Sequence, residues 1–154
     1  MRPMIPSLAL LALMSPVLMQ GASASDPLPL SQILTKVEAD GARTVYSAER
    51  DRRGWEVISC TGNNNRDCVE DIIDATTGEV RFRERESVFR LPPEGSLPAS
   101  QIATLVEEMK LGDIRDMEFD NRRWEVDVRN GGSRAELRLD PETGEVSNCR
   151  GSLC

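Results

Sequence analysis

Leu28-Pro29-Leu30-Ser31-Gln32-Ile33 recurs as Leu97-Pro98-Ala99-Ser100-Gln101-Ile102, and Trp55-Glu56-Val57 recurs as Trp124-Glu125-Val126, both at one offset (97 − 28 = 124 − 55 = 69). Thr77-Gly78-Glu79-Val80 recurs as Thr143-Gly144-Glu145-Val146 at a shorter offset (143 − 77 = 66). The first copy is therefore three residues longer between its tryptophan and its Thr-Gly turn, which puts the extra length in one loop. A duplication decides the architecture before any element is read. It divides the chain into a leader at 1–24, a first copy at 25–86, a connector at 87–96 and a second copy at 97–154.

Within each copy the apolar period changes once. Leu30, Ile33, Leu34 and Val37 recur at helical spacing, as do Ile102, Leu105, Val106 and Met109; Ser31 and Ser100 are the expected N-caps, and Gly41 and Gly112 the stops. Beyond the helix the period is two. Trp124, Val126 and Val128 alternate with charged residues, and after Asn130-Gly131-Gly132 so do Ala135, Leu137 and Leu139. Ile114 and Met117 have opposite parity in the strand before, which marks a bulge. The expected fold class is α+β, two tandem repeats, each a short helix packed on a small antiparallel sheet of about four strands. Pro92-Pro93 stiffens the connector, and Val88 and Phe89 stand where they can tuck into an interface. Whether the two copies pack or swing is open at this stage.

The first 24 residues carry one basic residue, Arg2, an apolar run around Leu8 to Met14 and a small-x-small site at Ala22-Ser23-Ala24, the pattern of a secretory signal peptide cleaved near Ala24. Four cysteines in a small exported chain imply disulfides. Four allow three connectivities, of which local pairing, Cys60 with Cys68 and Cys149 with Cys154, is preferred. Cys60 and Cys68 bracket the neck of the enlarged loop, Thr61 to Asp67, where a covalent closure removes unfolded-state entropy. The net charge of −7 disfavours polyanion partners, whose phosphates require clustered Lys or Arg.

A helix, a strand bearing an aromatic-Glu-Val, and a strand running into Asp-x-x-Thr-Gly-Glu-Val resemble the PepSY domain. The last motif is Asp74-Ala75-Thr76-Thr77-Gly78-Glu79-Val80 in one copy and Asp140-Pro141-Glu142-Thr143-Gly144-Glu145-Val146 in the other. The resemblance implies a tandem PepSY protein, exported without the peptidase that such domains accompany in thermolysin-type propeptides. It also implies a binding or inhibitory role toward another extracytoplasmic protein, a peptidase among the candidates.

The sequence contains no histidine, which removes the commonest general base, the commonest metal ligand and every His-containing triad. No cofactor, metal or catalytic residue is expected. Asp74, Thr77, Gly78 and Glu79, with Asp140, Thr143, Gly144 and Glu145, are read as turn chemistry, an Asp bonding the backbone two residues on and a Gly supplying positive φ. Two other readings remain: a calcium-responsive structural protein using those acidic turns, and a carboxylate-dependent hydrolase. Finally, Ile58 and Ile72 stand where the second copy has Asp127 (58 + 69) and Arg138 (72 + 66). If they share the face opposite Trp55 and Val57, they form a candidate contact surface for the other copy or an external partner. The oligomeric state is not legible.

Overall fold

The computed structural model describes residues 25–154. The expected leader and its cleavage site lie outside the described residues. Helix α1 (Leu30–Ala39) is followed by strands β1 (Arg43–Arg50), β2 (Trp55–Thr61), β3 (Cys68–Ile73) and β4 (Val80–Glu86); helix α2 (Ala99–Glu108) is followed by β5 (Asp113–Asp120), β6 (Arg123–Asn130), β7 (Ser133–Leu139) and β8 (Val146–Gly151).

The expected pair of four-stranded sheets does not form. All eight strands join one antiparallel sheet, ordered β4-β3-β2-β1-β5-β6-β7-β8, so the fold is α+β with a single large sheet and two helices. The first strand of each half makes the seam, through Ser47 opposite Glu118, Ala48 opposite Met117 and Glu49 opposite Asp116. The reason lies in size: a unit of about 60 residues buries only about 60% of its unfolded surface, and a separate sheet would leave the outer edge of β1 unpaired. Joining the edges pairs that backbone and fuses two thin cores into one.

Both helices lie on one face of the sheet and touch each other. Leu30, Ile33, Leu34 and Val37 of α1 and Ala99, Ile102, Ala103 and Val106 of α2 are buried on Val45, Ala48, Trp55, Val57, Met117, Trp124, Val126 and Leu137. Met109, expected in the α2 stripe, instead follows the helix as its C-cap and is exposed. The parity conflict in β5 is a bulge between Ile114 and Asp116, matched in β1 by one between Val45 and Ser47.

The N-cap residues are Pro29 and Pro98, not Ser31 and Ser100, and neither makes a side-chain cap. Proline's fixed φ suits the entry to a helix, and the cap comes from the other helix. Ser31 donates from its backbone N–H to Glu107 Oε1 at 3.1 Å and from its hydroxyl to Glu107 Oε2 at 2.6 Å; Ser100 N–H donates to Glu38 Oε1 at 3.1 Å. Each helix thus supplies the carboxylate that satisfies the other's first turn, an arrangement favoured by the dipole.

The connector packs and does not swing. Val88 N–H donates to Asn65 O at 3.0 Å, and the Asn65 amide donates to Val88 O and Phe89 O, both at 3.1 Å. Leu91 is buried against the sheet face that the helices leave open, whereas Phe89, expected to tuck in, is 89% exposed.

Candidate functional site

The two repeated sequence motifs meet each other. Leu28 N–H donates to Ala75 O and Leu97 N–H donates to Pro141 O, each at 2.8 Å, so the Leu-Pro entry to each helix is pinned to the turn that follows the third strand of its half. In those turns Asp74 Oδ1 accepts from Thr76 N–H at 2.7 Å and Thr77 N–H at 2.9 Å; Asp140 Oδ1 accepts from Glu142 N–H and Thr143 N–H, both at 2.9 Å. These amide bonds hold the Asp140 carboxyl below the usual carboxylate range, Thr143 contributing most. Thr77 and Thr143 hydroxyls accept from Glu79 N–H and Glu145 N–H. Gly78 and Gly144 sit at φ 72° and 73°, and a Cβ there would run into Lys36 and Leu105, respectively. Recurrence of these residues in sequence therefore reports packing between helix entry and turn. Among the described residues no group of three or more acid or cysteine side chains is placed to hold a metal.

Cys60 is bonded to Cys68 across β2 and β3, and Cys149 to Cys154 beyond β8. The first bridge lies on the open face under Leu91 and Val88, beside Tyr46 and Ile58. Ile58 and Ile72 also face that side, paired with Glu70 and Glu56 on the neighbouring strands. They do not form an exposed patch. Ile72 is 5% exposed beside its β4 neighbour Phe82, and Ile58 is half-buried against the connector's cluster, so Ile58 contacts a segment of its own chain. Apolar character at Ile58 was readable in the sequence; the covering segment was not, because it arrives from a residue about thirty positions away.

Acidic residues gather on this face where β1, β5 and β6 meet. Asp116 on β5 lies opposite Glu49 and Asp127, and its carboxyl is pushed up to about 6, first by burial and then by Glu49, Glu118 and Asp127. Glu70 is raised as well, by burial and by Glu56, Glu84 and Glu86.

Two cavities flank the helix pair at positions related by the offset of 69. One, of about 610 Å³, is lined by Pro27, Leu28, Trp55, Glu107, Gly112 and Asp113 among others. The other, of about 440 Å³, is lined by Ser96, Leu97, Trp124, Glu38, Arg43 and Thr44 together with Val45, Asn63 and the connector from Pro92 to Pro98. The tryptophan, the capping glutamate and the Leu-Pro entry are common to both. Both are also lined by residues with a buried, unpartnered donor: in the first it is Arg50 Nη1. In the second, Arg43 Nε, Ser96 Oγ and Trp124 Nε1 are each buried without a hydrogen-bond partner. Sequence reasoning missed this site because its wall is the connector, and the only signal was the presence of Arg43 and Ser96 where the other copy has Gly112 and Pro27 (43 + 69 = 112, 27 + 69 = 96).

Residues 89–149, less than half of the 154, match the PepSY_2 family, described as peptidase propeptide and YPEB domain. No curated protein matches the chain significantly. Among solved structures, a candidate lipoprotein from Clostridium difficile 630 aligns over 88% of this chain and 98% of its own at 15% identity, with a TM-score of 0.48.

Proposed function

We propose that this protein is a non-enzymatic, extracytoplasmic binding module that engages another polypeptide, in the manner of peptidase propeptides that restrain their enzymes. The chain reads as two PepSY-like units, residues 25–86 and 97–154, joined along β1 and β5. The observation that carries the reading is the cavity between the connector and Trp124, a cleft of mixed apolar and polar wall with no nucleophile paired with a base. Such a cleft can hold a ligand and has no group to turn it over. The PepSY_2 match over 89–149 supports the propeptide-like role. Two disulfides support an oxidising compartment, and among the described residues no helix is long and apolar enough to cross a membrane.

The test is a panel of fluorescein-labelled peptides titrated against the purified protein, with products followed by mass spectrometry. Saturable binding without cleavage is expected. A carboxylate-dependent hydrolase is the second reading, favoured by Asp116 opposite Glu49, since a carboxyl raised by burial and neighbouring acids is suited to acid–base chemistry. Peptide or glycoside turnover abolished by Asp116→Asn would put that reading first.

A further inference from the structure

We propose that the outer edge of β4 takes up an extended segment of a partner polypeptide as an added strand, one that presents acidic residues toward the helix side of the sheet and basic residues toward the open face. The site is separate from the cleft behind the connector and does not depend on it. β4 ends the sheet, and all 7 of its residues are exposed, Val80 and Phe82 by 47% and 55%. Such an edge offers a row of unpaired N–H and C=O groups to an extended chain. The opposite edge is different. β8 has 6 residues, of which Arg150 alone is charged, and it ends at Gly151 (φ 118°), where the Cys149–Cys154 bridge and the bond from Leu153 N–H to Arg134 O turn the tail back on the sheet.

The side chains of β4 decide which chain fits. Arg83 lies opposite Asp71, itself opposite the core residue Val57, so Arg83 and, two residues on, Arg85 point to the helix side. Phe82, Glu84 and Glu86 lie opposite Ile72, Glu70 and Cys68 and point to the open face. The charges are thus sorted by face. Two copies of this edge cannot use that sorting: joined antiparallel about a two-fold axis normal to the sheet they keep their faces, so the pairs formed among residues 82–86 never join an arginine to a glutamate. A partner strand with the inverse order meets opposite charge on both faces. Among the described residues Glu84, Arg85 and Glu86 enter no ion pair. Glu70 beside them is held above its usual range, first by burial and then by Glu56, Glu84 and Glu86, so the acids of this face act on one another without a neutralising cation. Basic residues of an incoming strand opposite Glu84 and Glu86 supply that cation. Acidic residues opposite Arg83 and Arg85 continue the pairing that Asp71 begins, and an apolar residue covers Phe82.

The peptide Thr-Lys-Glu-Lys-Glu-Val-Thr, laid antiparallel, places its lysines opposite Glu86 and Glu84, its glutamates opposite Arg85 and Arg83 and its valine opposite Phe82. Labelled with fluorescein, C-amidated and followed by anisotropy, it should bind the purified protein saturably. Thr-Lys-Lys-Glu-Glu-Val-Thr, of the same composition and label, should bind about tenfold or more weakly, because no register satisfies both faces. Glu84→Lys with Glu86→Lys should weaken the first peptide about tenfold, two cross-strand attractions having become repulsions. Glu108→Lys with Glu142→Lys, the same change of charge in the second half of the chain, should leave it unchanged. All four positions are exposed. Melting curves identify a variant that fails to fold, and Arg85→Glu then repeats the test from the other face of the strand. Alternate N-methylation separates strand addition from charge attraction alone, since only every second amide of an added strand faces its neighbour. One of the two methylated series should lose binding and the other keep it within about threefold. Equal binding of the two sequences, equal loss in the two charge-reversed variants, or a like response of the two methylated series overturns the proposal. So does a protein dimer in sedimentation that Phe82→Asp disperses, which would give this edge to a second copy. Absence of binding by the first peptide overturns it as well, while the labelled panel decides the cleft reading separately.

Discussion

The two halves of the sheet answer the same structural questions with different chemistry. Where the second half buries Leu137 beside Cys149, which is tied to Cys154, the first buries Asp71 beside Arg83 (71 + 66 = 137, 83 + 66 = 149). Arg83 holds Asp71 through Nε at 2.6 Å and Nη2 at 2.9 Å and reaches Asp40 at 3.2 Å, and these bonds raise the guanidinium's own pKa further, Asp71 contributing most. Where Phe119 meets Trp124, Arg50 lies over Trp55 at 5.7 Å (50 + 69 = 119). Where Glu125 and Arg138 pair in solvent at 3.1 Å, Glu56 and Ile72 stand beside exposed Phe82. The backbone plan tolerates either a wet or a dry solution at each site, provided the pair changes together. What breaks the equivalence is the connector, which covers the Cys60–Cys68 end of the first half's open face.

The largest effect should come from separating one of these pairs. Arg83→Ala strands a carboxylate that is 1% exposed, and should cost about 2–4 kcal/mol in urea denaturation, tempered because Arg83 itself reaches solvent. Asp71→Leu combined with Arg83→Met copies the apolar logic of the second half and should restore most of that loss. A double variant as unstable as the single one would show that the ion pair has no apolar substitute.

Next in size are the disulfides. Cys60→Ser with Cys68→Ser opens a span of 8 residues and undoes the platform beneath Leu91, so a loss of roughly 2–3 kcal/mol is expected, together with faster proteolysis of the connector. Removing Cys149–Cys154 opens a span of 5 at a chain end and should cost less. Equal losses would mean that the first bridge does not hold the connector.

Asp116 gives a comparison in pH. Its folded pKa of about 6 lies above the unfolded value, so the folded state binds the extra proton between about pH 4 and 6 and loses stability as pH rises through that window. Asp116→Asn should therefore raise stability at pH 7.5, by about 1 kcal/mol after allowance for solvent screening, and give no gain below pH 4. A gain that persists at pH 3.5 would point to some cause other than ionisation.

The smallest effect tests one residue against its counterpart. Ser59 is fully buried with its hydroxyl unpartnered, and position 59 + 69 is Val128. Ser59→Val should stabilise by about 0.5–1 kcal/mol, since the hydroxyl's desolvation is not offset by a bond. A destabilised variant in thermal melts would mean that the space around Ser59 is too tight for the extra methyl.

The sequence alone determined the local features whose causes are local. Apolar spacing marked both helices and the inward faces of the strands, the parity conflict between Ile114 and Met117 located a bulge, and the loop between Cys60 and Cys68 pointed to their bridge. The tertiary structure decided what depends on residues far apart in the chain: the seam from Ser47 and Ala48 to Glu118 and Met117, the reciprocal capping by Glu38 and Glu107, and the connector's course over Ile58 to close a cavity on Trp124. Periodicity tells which side of a strand is dry. It carries no information about which distant segment does the drying, because that depends on which edges and faces the local elements leave unsatisfied.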